Sequence, residues 1–288
     1  MADPRAADAY TVRPIRDPET LRRCEALQAE IWQFPAIEIV PLNQLMAATS
    51  AGGLVLGAFA ADGTLVGFAY AVPGWRDGRA LWYSHMTGVL PAHQGRGLGL
   101  RLKRAQRDAA LAAGLDEIVW TYDPLQSGNA RFNFGRLGVT ARRYHVDFYG
   151  VMTDVINRGL PSDRFEVDWQ LRSPRVAGRL AGDAPPPVAA WLPWAVAARH
   201  AEDVGEEAAW PDDPDLGLDA PQLLIEIPAN LAGLKGARPD AALRWRLATR
   251  AAFQHYLPRG YTVTEAVRFP DERARRAVYV LTEREAPP

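Results

Sequence analysis

The sequence predicts an α/β (α+β) fold, and three observations lead to this class. Short apolar runs typical of strands alternate with segments of helical apolar spacing along most of the 288 residues. Asp62-Gly63 lies between two such runs and is a strong signal for a tight hairpin turn. A strand-like run that ends at Val89 then leads through a glycine-rich turn into a helix.

Composition restricts the functional class. The chain has 48 % apolar and 23 % charged residues, which is ordinary for a globular protein and excludes a disordered or fibrous one. A single cysteine, Cys24, excludes a disulfide framework and a multi-cysteine zinc site, and it favours a reducing compartment. The 33 basic and 34 acidic residues give a net charge of −1, which argues against a nucleic-acid partner.

No segment has the character of a targeting or membrane-spanning sequence. Residues 1–5 are polar and lack the apolar core of a signal peptide. The longest apolar run, 188–198, contains Pro193 and is shorter than the roughly 20 residues that a membrane span needs. We therefore expect a cytoplasmic protein without a membrane partner.

In the first half, the elements are predicted from periodicity and end signals. A helix is expected to begin at Asp17-Pro18, because Asp caps helices and Pro is tolerated in the first turn. Apolar residues at helical spacing around Cys24 predict one buried face, so Cys24 is interpreted as a structural thiol. The other predicted elements are a strand over 10–15, a helix near 42–46, strands over 54–59 and 65–72, a turn-rich stretch over 73–78, a strand over 80–89, a helix over 97–114, a strand over 117–122, a short helix over 130–137, and strands over 142–151 and 165–171.

Composition shifts after Pro174, and three segments are predicted: a domain over 1–173, a linker or irregular arm over 174–221, and a C-terminal α+β extension over 222–288. The order within the extension echoes the middle of the first half, so a degenerate second copy of half of the first domain is one interpretation. Its predicted elements are a strand over 223–227, a helix over 240–256, and a hairpin of 261–269 and 277–281 across 270–272. Two long helices are each expected to bury one face. The face of the first contains Leu98, Leu102, Ala105, Ala109 and Ala112, and that of the second contains Leu243, Leu247, Ala251 and Phe253 or Gln254.

The segment 85–99 carries the clearest chemical signal. A glycine-rich turn at a helix N-terminus directs several backbone N–H groups into one concave spot, which suits a pyrophosphate. A nucleoside triphosphate loop is excluded, because Leu100 follows Gly99 where Lys is required. A dinucleotide fingerprint lacks its third glycine, although Asp116 stands about where its acidic residue belongs.

A third interpretation fits this segment. Gly88-Val89-x-Pro91 followed by Gln94-x-x-Gly97-x-Gly99 resembles the acyl-coenzyme A signature of the GNAT superfamily of N-acyltransferases. The resemblance covers about residues 10–172 and implies a mixed central sheet flanked by helices. It implies that the backbone near Val89 pairs with the pantetheine arm of the cofactor. The residues assigned to the cofactor are Val89, Gln94, Gly95, Arg96, Gly97, Leu98, Gly99 and Asn129, the last of which caps the next short helix or touches the cofactor arm.

The reaction implied by the resemblance is attack of an amine on a thioester carbonyl. It needs a base, a donor to the oxyanion and a proton for the leaving thiolate. A backbone N–H near Val89 is the expected oxyanion donor. Strand alternation is expected to place His85 and Tyr83 on the same face as Val89, where several superfamily members supply a base. The alternative for His85 is a histidine of the core.

The proton donor is less clearly indicated. The superfamily's short helix often reads Ala-x-x-x-Tyr-x-x-x-Gly, with Tyr as the donor, but here Ala130-x-x-x-Phe134-x-x-x-Gly138 has no hydroxyl. The thiolate then leaves unaided, or another group serves; Tyr144 is the first candidate, with Tyr149, Tyr122 and water as alternatives. Neither Cys24 nor a serine is placed as a covalent relay, so direct transfer is expected.

Further motifs resemble one branch of the superfamily that includes amino-acid N-succinyltransferases, among them Leu160-Pro161-Ser162-Asp163-Arg164-Phe165 and Trp245-Arg246-x-x-x-x-Arg250. Acetyl-CoA or succinyl-CoA is therefore the expected donor and a small, amino-acid-like amine the acceptor. No metal is expected. The chain is expected to be a monomer or a homodimer. A non-catalytic acyl-CoA-binding protein is the alternative. The arginines that could grip an anionic substrate are Arg131, Arg136, Arg142, Arg143, Arg246 and Arg250.

Overall fold

The computed structural model describes residues 10–152, 154, 157–188, 192–199, 210–268 and 276–283. These residues form two compact units. The N-terminal unit contains the described residues up to Trp120 together with Asp154 and Gln170–Arg172. The C-terminal unit contains those of Thr121–Met152 and Asn157–Trp169 and those from Ser173 onward. Both units combine a sheet with helices, and the predicted α/β class is confirmed.

The sheet of the N-terminal unit is mixed. Its strands lie in chain order, with antiparallel pairing from β1 to β4 and parallel pairing between β4 and β5. They are β1 (Tyr10–Pro14), β2 (Leu54–Ala60), β3 (Leu65–Arg76), β4 (Arg79–Val89) and β5 (Glu117–Tyr122).

Helices cover both faces of this sheet. On one face, α1 (Pro18–Trp32) and α2 (Leu42–Ser50) bury their apolar side chains against β3. On the other face lies α3 (Leu98–Ala112). The Asp17 carboxylate accepts a hydrogen bond of 2.8 Å from the Thr20 N–H, so the predicted cap of α1 is confirmed. Cys24 is buried in this core, and burial raises the pKa of its thiol to about 12, which agrees with a structural role.

The expected turn-rich stretch over 73–78 is wrong for most of its length. β3 continues to Arg76, and only Asp77 and Gly78 form the turn, both with positive φ as a tight hairpin requires. Pro73 is tolerated because β3 pairs with β2 only as far as Ala71 and with β4 alone beyond it. A strand with an open edge can accommodate a residue that lacks an N–H.

The buried face of α3 also differs from the prediction. Leu98 and Leu102 are buried as expected, but Ala112 is exposed, and Lys103 and Gln106 are buried in addition. Apolar spacing could not indicate this face, because it is occupied partly by polar side chains that bond to one another.

The sheet of the C-terminal unit has the order β7-β6-β12-β13-β11-β8. Its pairing is antiparallel from β6 to β11, and β8 joins β11 in parallel. Its strands are β6 (Thr140–His145), β7 (Arg164–Gln170), β8 (Trp194–Val196), β11 (Gln222–Ile227), β12 (Tyr261–Arg268) and β13 (Ala277–Glu283), and a separate ribbon pairs β9 (Ala198–Arg199) with β10 (Trp210–Pro211).

The helices of this unit are α4 (Ser127–Ala130), which continues as a π-helical turn over Arg131–Leu137, and α5 (Pro174–Ala181), α6 (Leu231–Ala237) and α7 (Pro239–Tyr256). The irregular arm expected after Pro174 thus holds a helix and a strand of the sheet. Phe253 of the predicted face of α7 is buried, but the rest of that face is wrong in part, because Leu243 and Leu247 are exposed, whereas Trp245 and Arg246 are buried. The predicted turn over 270–272 lies outside the described residues. None of the described helices combines the length and apolar character of a bilayer span.

Candidate active site

A β-bulge interrupts β4 at His85. On β3, Tyr70 lies opposite Met86 and Ala71 lies opposite Ser84, so His85 is the extra residue. Opposite residues in a sheet share a face, and a bulge reverses the alternation that follows it. Tyr83 lies before the bulge and Val89 after it, so simple alternation does not give their faces correctly.

Tyr83 and Val89 lie on opposite faces of the sheet, one covered by α1 and α2 and the other by α3. Tyr83 lies opposite Val72, which packs in the core under α1 and α2. Val89 instead packs with Leu98 and Leu102 of α3. The expectation that Tyr83 shares the face of Val89 is wrong, because simple alternation does not anticipate the bulge.

His85 itself is exposed. Its ring meets that of Tyr70 edge to face at a centroid distance of 5.8 Å, and that of Tyr83 at 6.3 Å. The imidazole makes no hydrogen bond within the described parts of the chain. Neighbouring protein atoms partly desolvate the ring and lower its pKa from the ordinary 6.5. A neutral, accessible imidazole is a competent base at pH 7, and its exposure disagrees with the alternative of a core histidine.

Beyond the bulge, the N–H and C=O groups of Val89 in β4 point away from β3. The Leu90 N–H donates to the Val66 carbonyl at 2.9 Å. Because N–H directions alternate along a strand, the Val89 N–H and C=O point toward the opposite edge of β4. The Gln94 side-chain amide donates to that Val89 carbonyl at 3.0 Å. This edge supplies the N–H that an oxyanion or a pantetheine amide requires.

The glycine-rich turn has the backbone form that an anion site needs. Gly95 and Gly97 have φ values of 73° and 76°, and a Cβ added at either would meet no atom within 4 Å. These glycines are required by the left-handed backbone and not by lack of space. Gly97 caps α3 without a side-chain hydrogen bond, so the N–H groups of the first turn, Leu98 and Gly99 among them, face outward from the helix end.

Gly88 has a different role. A Cβ at Gly88 would lie 2.6 Å from the Trp32 ring, so only glycine lets α1 pack this closely against β4. The first glycine of the signature thus serves packing, whereas Gly95 and Gly97 serve backbone conformation.

A buried polar cluster supports β4 immediately before the bulge. The Lys103 Nζ donates to Ser84 Oγ at 2.8 Å and to Gln106 Oε1 at 3.1 Å, and it lies 3.8 Å from the centroid of the Trp120 ring. Burial lowers the pKa of Lys103 to about 7. Sequence reasoning missed this cluster; the signal was a lysine inside the apolar stripe of a chain with only one other lysine, Lys235.

The predicted proton donor lies in the C-terminal unit. The Tyr144 hydroxyl donates to Asp163 at 2.6 Å, and Arg250 donates two hydrogen bonds of 2.8 and 2.7 Å to the same carboxylate. Burial raises the pKa of Tyr144 well above 10, and the Asp163 charge adds to the effect. Nearby, the fully buried Arg246 donates to Asp123 at 2.7 Å.

The other residues weighed for the proton are also placed in this unit. Phe134 is fully buried against the Tyr279 ring at 5.8 Å, and the Tyr279 hydroxyl lies 2.8 Å from that of Tyr122. The Tyr149 hydroxyl lies 3.0 Å from Thr121 Oγ1. Asn129 is exposed on α4. Within the described residues, no group of three or more His, Cys, Asp or Glu is arranged to hold a metal ion.

Comparisons with known proteins bear on this geometry. Residues 20–138 match the model of the acetyltransferase (GNAT) family, and this range contains the bulge and the glycine-rich turn. Among solved structures, Salmonella typhimurium yncA with its cofactor acetyl-CoA is 23 % identical over 57 % of this chain and 94 % of that one, with a TM-score of 0.45. The Escherichia coli ribosomal-protein-S18-alanine N-acetyltransferase is 14 % identical over 56 % and 94 %, with a TM-score of 0.45. A search of curated proteins finds no match.

Proposed function

We propose that this chain, whose residues 20–138 match the acetyltransferase (GNAT) family model, transfers an acetyl or succinyl group from coenzyme A to the amine of a small, amino-acid-like acceptor. The observation that carries the proposal is that the residues matched by the family model include three neighbouring features of the backbone. These features are the bulge at His85, the Val89 N–H and C=O groups that point away from β3, and the glycines with positive φ before α3.

The residues present fit coenzyme A. The N–H groups from Gly95 to Gly99 and the start of α3 suit its pyrophosphate, and the backbone of β4 around Val89 suits its pantetheine arm. Arg96 is exposed beside this turn and adds positive charge. When bound, the thioester supplies the activated acyl group. The Val89 N–H then stabilises the charge that develops on the carbonyl oxygen.

His85 is the proposed base. Its lowered pKa keeps the imidazole neutral at pH 7, so it can take the proton of an incoming ammonium directly or through water. Tyr83 borders the imidazole and is proposed to orient it. Tyr144 remains the proposed proton donor to the leaving thiolate, with Tyr122 and Tyr149 as alternatives. Its raised pKa keeps the hydroxyl protonated at physiological pH.

The remaining parts of the proposal concern organisation and partners. We propose the domain over 1–173, the arm over 174–221 and the α+β extension over 222–288, the last shaped by descent from a half-domain. The net charge of −1 supports a small-molecule acceptor and not a nucleic acid. A cytoplasmic monomer or homodimer fits these features.

The test is release of coenzyme A from acetyl-CoA and from succinyl-CoA, measured side by side against pools of L- and D-amino acids. Turnover that depends on an amino acid supports the proposal, and the faster donor identifies the acyl group. Saturable binding of both donors without turnover over a broad amine panel would favour the second candidate, a non-catalytic acyl-CoA-binding protein. Phe134 in place of a tyrosine is the observation behind that candidate.

A further inference from the structure

The arginines of the C-terminal unit differ in their partners. Many donate to a carboxylate at 3.2 Å or less: Arg142, Arg143, Arg175, Arg179, Arg246, Arg250 and Arg276. The side chains of Arg131, Arg136 and Arg268 make no hydrogen bond or ion pair within the part of the chain that the structure describes, and all three residues line one cavity.

This cavity has a volume of about 640 Å³ and lies wholly in the C-terminal unit. Its floor and walls come from the π-helical turn, from 182–188 and from the end of β12. The apolar part of its lining is formed by Ala184, Pro185, Pro186, Pro187, Val188, Ala266 and Val267. A volume of this size is typical of sites for small organic ligands.

Hydrogen bonds and an ion pair of Arg179 connect the segment 182–188, on one side of the cavity, to β12 on the other side. Arg179 is buried and donates to the backbone carbonyls of Asp183 and Ala184. The same guanidinium donates to Glu265 on β12 at 2.8 Å, and Arg175 donates to Glu265 at 2.7 Å. The buried ion pair of Arg179 and Glu265 therefore fixes the position of the proline-containing segment relative to β12.

Charge in the cavity is unbalanced. Among the described residues that line the cavity, there are three arginines and one acidic residue, Asp183. Burial lowers the pKa of Arg131, and the positive charge of the nearby Arg268 lowers it further. Two guanidinium groups held near each other repel, and a bound anion removes that repulsion while accepting parallel N–H bonds from both.

We propose that this cavity binds a small polyanion, a molecule with two or more carboxylate or phosphate groups, through Arg131, Arg136 and Arg268. The apolar proline wall would pack against its carbon skeleton or exclude water from its charged groups. This site is separate in its residues from those assigned to the acyl donor, and its test does not depend on acyl transfer.

The experiment is calorimetric titration of the full chain with citrate and with inorganic pyrophosphate, in the presence of saturating coenzyme A. We expect saturable binding of at least one polyanion, with acetate much weaker. The stronger of citrate and pyrophosphate distinguishes a polycarboxylate from a phosphorylated ligand. Arg131→Gln and Arg268→Gln should each weaken binding about tenfold or more, because each removes a charge-assisted contact.

Arg259→Gln is the matched control, since Arg259 is an exposed arginine of the same unit outside the cavity. It should leave the affinity unchanged, and thermal unfolding should show that all variants fold. Equal affinity in Arg131→Gln, Arg268→Gln and the unmodified chain would overturn the proposal. Binding that is seen only in a parallel titration without coenzyme A would overturn it too. Absence of any polyanion binding to the unmodified chain would overturn it as well.

Discussion

Lys103 Nζ lies 2.8 Å from Ser84 Oγ, the hydroxyl of the residue that precedes the bulge in β4. This contact joins α3, whose first turn forms the proposed pyrophosphate site, to the strand that carries the proposed base. The pKa of Lys103 is lowered from 10.5 to about 7 by burial, so the folded state holds this proton less tightly than the unfolded state does.

The first prediction is a pH dependence of stability caused by Lys103. Between about pH 7 and 10.5 the unfolded chain binds more protons at this site, so the contribution of Lys103 to the free energy of unfolding should rise with pH across that window. Lys103→Met keeps the aliphatic stem but removes the titration. Denaturant unfolding of both proteins at several pH values should show a more positive slope with pH in the unmodified chain than in Lys103→Met, and equal slopes would contradict the account.

The second prediction concerns the left-handed glycines. Gly97→Ala should destabilise the protein by roughly 1 kcal/mol, because L-residues other than Gly are strained at positive φ. It should also raise the KM for the acyl donor at least severalfold, because the amides of the turn shift. Gly128→Ala is the control, as Gly128 is exposed, has no positive φ and has open space around its Cα. Similar KM values for the two variants would remove the turn from the cofactor site.

The third prediction contrasts two arginines on α7. Arg246 is 1 % exposed and bonds to the buried Asp123, whereas Arg244 is 48 % exposed and pairs with the exposed Asp213. Arg246→Met should destabilise the protein by about 3–5 kcal/mol, because it leaves a buried carboxylate without its cation. Arg244→Met should cost less than about 1 kcal/mol. Denaturant unfolding measures both, and equal losses would show that burial does not decide the strength of these pairs.

The fourth prediction tests the proposed proton donor. Tyr144→Phe should lower kcat at least tenfold with little change in KM, because the leaving thiolate then lacks its proton source. Tyr149→Phe should have no such effect. A normal kcat in Tyr144→Phe together with a reduced one in Tyr149→Phe would transfer the role to Tyr149, and normal values in both would leave neither as the donor.

Local sequence signals predicted the fold of the N-terminal unit well. The Asp17 cap, the Asp62-Gly63 turn and the glycines before α3 depend on residues adjacent in the chain, and each lies where it was expected. The errors have one physical origin, which is interaction between distant residues. The extension of β3 through Pro73 depends on which neighbours pair with it, and sequence periodicity does not carry that information.

The candidate site was predicted in part for the same reason. The signature segment indicated the turn and the strand, but the bulge that separates the faces of Tyr83 and Val89 arises from register with β3. Arg268 went unnoticed because it is remote in sequence from Arg131 and meets it only through the fold. The Lys103 cluster went unnoticed because Ser84, which accepts a hydrogen bond from Lys103, lies on β4 and is remote from it in the sequence.

The central claim is that acyl transfer occurs at the bulge of β4 with His85 as base. The most direct measurement is the pH dependence of amine-dependent coenzyme A release by the unmodified chain and by His85→Ala. We predict that kcat/KM of the unmodified chain falls at acidic pH with an apparent pKa below 6.5, and that His85→Ala loses about 10²–10⁴-fold of the rate together with that acidic limb. An unchanged rate and profile in His85→Ala would contradict the claim.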